Sequence, residues 1–165
     1  MTIFQNILFN FNFLFKGKGL LKDTIFVYFS TRYYLVNRSS QDLLINQYFA
    51  IQSLRDQTAS LSWDTKACDQ NLISKKHNKE TKNSLTLMSD SMAQFHWPRT
   101  DKDQLLSIAL KQDTNFNWSA GFKIDNIDSF QLNLRNILNS NDLFFLKTEV
   151  ILDGGTFFIG ILIYN

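Results

Sequence analysis

One cysteine and two histidines, Cys68 with His77 or His96, are the only residues in this chain that could form a thiol–imidazole pair. Such a pair needs a thiolate held beside its base in a partly exposed, electropositive setting. Cys68 sits instead in the polar stretch "WDTKACDQNL" with no motif around it, and a solvent-facing or structural thiol is the simpler reading. His96, Asp101 and Asp103 could contribute to a metal site. Two aspartates at i and i+2 with one histidine make an incomplete ligand set, however, and the aspartates equally suit the caps of a turn. Trp97-Pro98 reads as a rigid turn with an aromatic ring packed beneath it. Gly17 and Gly19 lie between lysines, without the strand-to-helix setting of a phosphate loop. Trp63, Trp97 and Trp118 could stack on a sugar or a base, but core packing uses the same side chains. No nucleophile, base and orienting group come together, so the residues point away from catalysis and imply no metal or cofactor.

The elements that would position these residues are β-rich. The 165 residues are 44% hydrophobic and 15% aromatic, with sixteen phenylalanines, a composition of folded sheets. Only Glu80 and Glu149 are glutamates, and the other acids are aspartates, which suit turns better than helix interiors. A net charge of +2 is too small to argue for nucleic acid. A single cysteine excludes an internal disulfide framework and fits a reducing compartment. The start, "MTIFQNILFNFNFLF", lacks a basic leader and a small-residue cleavage site, and its part from Phe9 to Phe15 reads as a strand.

Short apolar runs at 24–29 and 33–37 also read as strands, the second ending on Asn37 before Arg38, Ser39 and Ser40. Asn tolerates unusual φ and caps its own backbone, so a turn comes next. "SFQLNLRN" (129–136) alternates, with Phe130, Leu132 and Leu134 on one face and Gln131, Asn133 and Arg135 on the other. Two β-rich runs at 143–165 flank Asp153-Gly154-Gly155, the signature of a tight hairpin. Residues 41–54 and 100–112 fit a capped helix or a strand equally well by local pattern. The polar stretch 55–83 reads as a surface loop. The sum is an all-β chain built as an antiparallel sandwich or sheet, with one long polar loop.

Three segments in this order, "FHWPRTDKDQLLSIAL", "FNWSAGFKIDNIDSFQLNLRN" and "LFFLKTEVILDGGTFFIGI", resemble the adaptor-binding region of the vacuolar protein sorting-associated protein 13 family. The upstream "VYFSTRYYLVNRSSQDLLINQ" looks like the start of one repeat of that region, whose mark is an asparagine ending an aromatic-rich strand. The resemblance covers roughly residues 24–52 and 94–165. It implies that Asn37 is the repeat asparagine and an adaptor-binding residue, and it settles 43–47 and 104–110 as strands. It divides the chain into an extension at 1–23, carrying a strand, and a partial β-repeat at 24–165 with the loop at 55–83. Ala120 departs from the family, which usually has a second glycine there.

Members of the family are very large, cytoplasmic bridge-like proteins, peripheral at organelle membranes and contact sites. They act in vacuolar protein sorting, Golgi retention and lipid transport. The implied role is a non-catalytic module that binds short Pro-X-Pro segments of organelle adaptors, reaching membranes through them and binding no nucleic acid. A β-sandwich acting alone on a lipid or a carbohydrate through exposed aromatics is the competing reading. The chain corresponds to about one repeat, so the uncharged run "FFIGILIYN" is expected to leave an open strand edge that invites aggregation.

Overall fold

The computed structural model describes residues 9–16, 25–59, 84–139 and 141–163. Among these the chain runs through β1 (Phe9–Lys16), β2 (Ile25–Thr31), β3 (Tyr33–Asn37) and β4 (Leu43–Gln47), then helix α1 (Tyr48–Ala59). It continues through β5 (Leu85–Leu87), β6 (Met92–Phe95), β7 (Leu106–Leu110) and β8 (Asp128–Arg135). The hairpin of β9 (Leu143–Asp153) and β10 (Thr156–Ile163) closes the fold. A five-stranded sheet in the order β6-β3-β10-β9-β8 faces a three-stranded sheet in the order β5-β4-β7, and β1 and β2 form a separate pair.

Alternation decides which side chains meet between the sheets. Leu35, Leu134, Leu146, Ile159 and Ile161 of the larger sheet share one buried core with Leu43, Ile45, Leu87, Leu106 and Ile108 of the smaller. The chain is therefore an all-β sandwich with mainly antiparallel sheets. In β8, Leu132 and Leu134 are buried while Gln131, Asn133 and Arg135 are exposed, as the alternation requires. Gly154 and Gly155 take φ of 53° and 84° between the paired Asp153 and Thr156. Both central residues of the two-residue turn thus occupy the left-handed region that matches strand twist.

Three features depart from the sequence reading. First, β10 is not an edge. It pairs in parallel with β3, Tyr33 opposite Phe157 through Asn37 opposite Ile161, and so lies between β3 and β9. With β3 on one edge and β9 on the other, the expected open edge is closed. Second, 43–47 is a strand, but α1 begins at once and continues to Ala59, five residues into the stretch expected to be loop. The rest of that stretch, 60–83, lies outside the described residues. Ile51 of α1 packs with Leu44, Ala109 and Trp118 on the outer face of the smaller sheet. Every residue of β4 and β7 is buried as a result, and strands covered on both faces lose the alternation that separates strand from helix.

Third, Ala120 costs nothing. Among described non-glycine residues only Asp90 has a positive φ, so position 120 does not need glycine. The demand falls on Gly121 instead, where an added Cβ would come 2.5 Å from Cγ of Tyr48.

Candidate functional site

Asn37 stands where the chain leaves the larger sheet for the smaller one. Its side chain is 1% exposed, and every polar atom of its amide is engaged. Nδ2 donates to the carbonyls of Gln41 (2.8 Å), Met88 (2.9 Å) and, more weakly, Leu87 (3.3 Å). Oδ1 accepts from the Ser39 amide (3.0 Å) and the Ser39 hydroxyl (2.7 Å). Two crossings between the sheets meet here, the β3–β4 connection at 38–42 and the β5–β6 turn at 88–91. Ser89 adds two ties, its amide to Asp42 Oδ1 (2.9 Å) and its hydroxyl to the Ser39 carbonyl (2.8 Å). A buried amide satisfied on all sides fixes geometry and offers nothing to a ligand directly.

The clasp fixes the frame of β6. The Asn37 amide donates to the Ser91 carbonyl at 2.8 Å, and the pairs continue as Leu35 with Ala93 and Tyr33 with Phe95. Hydrogen-bonded pairs alternate along an antiparallel ladder. Ser91, Ala93 and Phe95 therefore turn their N–H and C=O toward β3, and Met92 and Gln94 turn theirs outward. Among the described residues no strand pairs with that outer side. Beside it the sandwich opens into a cleft of about 210 Å³, lined by Ile45, Asn46 and Leu85 of the smaller sheet and by Gln94, Phe95, His96 and Pro98. An uncharged strand edge with free backbone groups next to an apolar cleft can accept an extended peptide.

Of the residues weighed for catalysis or metal binding, those among the described residues do not assemble into a second site. Cys68, His77, Trp63, Gly17 and Gly19 lie outside the described residues. His96 is exposed at the cleft, whereas Asp101 is held by Arg99 through contacts of 2.8 and 2.7 Å. The hydrogen bond from Arg99 keeps the Asp101 carboxyl at about 2, well below the usual carboxylate range. Among the described residues no group of three His, Cys, Asp or Glu side chains is placed to hold a metal ion. Trp97 is buried, edge-on to Phe95 at 4.9 Å and to Tyr33 at 6.1 Å, so the Trp-Pro turn packs its ring inward.

The sequence reading missed Gln47. Its buried amide donates to the carbonyls of Arg99 and Asp103, both at 2.9 Å, and accepts from the Arg99 amide at 3.1 Å. It holds the 97–103 turn, and so one wall of the cleft, as Asn37 holds the corner. The available signal was a polar amide closing an apolar strand, the same signal that Asn37 gives.

Fold and site together define a β-rich binding module whose candidate surface is a strand edge. The sequence profile of the vacuolar-sorting associated protein 13 adaptor binding domain matches residues 13–164, and the chain belongs to that family. It is 32% identical over 142 residues to the human intermembrane lipid transfer protein VPS13D, covering 86% of this chain. Against the Drosophila melanogaster Vps13D it is 27% identical over 144 residues, or 87% of this chain. The chain spans about 3% of the length of each of these relatives. No helix among the described residues is long and apolar enough to cross a membrane.

Proposed function

We propose that this chain is a non-catalytic docking module of a much longer, cytoplasmic lipid-transfer protein. It takes up Pro-X-Pro segments of adaptor proteins along β6 and so places its parent at organelle membranes. The family match supports the binding role, and the backbone edge of β6, unpaired among the described residues and beside an apolar cleft, carries the reading of where binding occurs.

The frame of β6 says why the segment would be Pro-X-Pro. In an antiparallel addition the residue opposite Gln94 exchanges both hydrogen bonds with it and must have an N–H. Its two neighbours point their backbone away from β6, so proline's missing N–H costs nothing there. Those neighbours share the face of Phe95 and Ala93, which is the cleft side. Prolines at i and i+2 meet both conditions. A parallel addition would put the same prolines on the opposite face, away from the cleft, so the antiparallel direction is the one proposed.

Asn37 enters as a positioning residue, because a slip of β6 by one residue would turn the wrong amides outward. The competing reading, a lipid- or sugar-binding sandwich acting alone, lacks comparable support, since Trp97 and Trp118 are both buried. Binding of labelled Pro-X-Pro peptides, read by fluorescence anisotropy, tests the proposal. N-methylation at X should weaken binding by at least about tenfold through the lost ladder bond and the added clash. Replacing either proline by serine should weaken it too. Unchanged affinity of the N-methylated peptide would overturn the reading.

A further inference from the structure

The outer face of β6, opposite the one that carries Ala93 and Phe95, has a composition of its own. Met92 is 58% exposed, and Gln94 and His96, which also border the cleft, are exposed beside it. Gln94 is held across the sheet, its Nε2 donating to the Tyr34 hydroxyl at 3.3 Å. Proteins usually blunt a free strand edge with charge, as β8 at the opposite end of this sheet does with Asp128 and Arg135. The sequence of β6, Met-Ala-Gln-Phe, has no charge, and its largest apolar side chain on the outer face lies open to solvent. A thioether is flexible and polarisable, which suits it to pack against side chains of differing shape.

We propose that Met92 reads the residue directly after the second proline and selects an apolar side chain there, so that the recognised segment is Pro-X-Pro and then an aliphatic or aromatic residue. This rests on the reading of β6 as the docking edge. With X opposite Gln94 and the segment antiparallel, the next residue but one falls opposite Met92 on the same outer face. The residue two before X falls opposite His96, where no apolar partner waits. The two sides of the added strand then have separate tasks, the cleft holding the prolines and Met92 choosing the residue after them.

Three peptides and a proline-free control, Ser-Ala-Ser-Leu, decide it: the three are Pro-Ala-Pro-Leu, Pro-Ala-Pro-Ser, and one with leucine moved to precede the first proline and serine placed after the second. Each is titrated against the wild-type chain and the Met92→Ser and Met92→Leu variants. An apolar cross-strand pair predicts a preference of roughly threefold for leucine after the second proline. That preference should vanish in Met92→Ser, survive in Met92→Leu, and be absent when leucine is placed in front. All proline-containing peptides should still bind Met92→Ser, an exposed substitution that leaves the core untouched. Equal binding of the leucine and serine peptides, or a preference unchanged in Met92→Ser, overturns the inference while leaving the docking edge standing. Binding that ignores the prolines overturns the docking edge itself.

Discussion

Asn37 shows how a single amide can govern a surface that it does not touch. Its contacts tie Gln41, Leu87, Met88 and Ser39 together, and its own backbone sets the pairing of β6 through Ser91. Replacing it by alanine leaves buried carbonyls unpaired, at a cost of roughly 1–3 kcal/mol. Thermal unfolding of Asn37→Ala should show that loss, and adaptor peptides should bind the folded fraction more weakly. An unchanged melting temperature would mean that the corner is held by Ser89 and Asp42 alone. Asp101 makes a second prediction at this scale. Its carboxyl titrates at about 2 instead of the ordinary 3.8, chiefly because Arg99 donates to its charged form. A carboxylate with a depressed value contributes stability above its ordinary range and loses it as pH falls through the folded value. The pair is fully exposed, so the effect on stability is small, but the midpoint is measurable. Carbon-detected NMR titration should find Asp101 near 2, moving upward in Arg99→Ala. A normal midpoint in the wild-type chain would show the pair to be absent in solution.

At the scale of elements, glycine positions separate necessity from habit. A methyl group at Gly121 would collide with the ring of Tyr48 at the start of α1, and overpacking of this kind costs about 1–3 kcal/mol. Gly121→Ala should therefore lower stability in chemical denaturation by that amount, whereas Ala120→Gly should change it little. Equal effects of the two would show that α1 moves freely against the 116–122 segment. The same contrast explains what the sequence could say. Phe130, Leu132 and Leu134 of β8 have one wet face and one dry face, so alternation exposes the strand. The β9–β10 turn is legible because Gly154 and Gly155 answer a local backbone demand. Alternation fails for β4 and β7, which are dry on both faces, and the change from strand to helix at Tyr48 carries no break in composition. The place of β10 was illegible for another reason, since its partner β3 lies more than a hundred residues away. Asn37 was marked by resemblance and by the turn after it, and Gln47 only by being a polar amide that closes an apolar strand. Which buried amide becomes a clasp depends on which carbonyls the finished fold brings to it.

For the molecule as a whole, the parallel β3–β10 junction is what joins an early strand and the last described strand into one sheet. Tyr33 pairs with Phe157, and Ile159 and Ile161 of β10 are fully buried between neighbouring strands. Contacts at such separation form late and make the folding of the sheet cooperative. Native-state hydrogen exchange should therefore rank the strands, because amides in central strands exchange only through large openings while edges open locally. The amides of Ile159 and Ile161 should be among the slowest. Along β6 the pattern should alternate within four residues: Ala93 and Phe95, bonded to β3, protected, and Met92 and Gln94, facing outward, exchanging rapidly. Saturation with a Pro-X-Pro peptide should slow Met92 and Gln94 selectively, since only their amides point at the added strand. If Met92 and Gln94 are already as protected as Ala93 and Phe95 in the free chain, the edge is covered by the protein itself and the docking site must lie elsewhere.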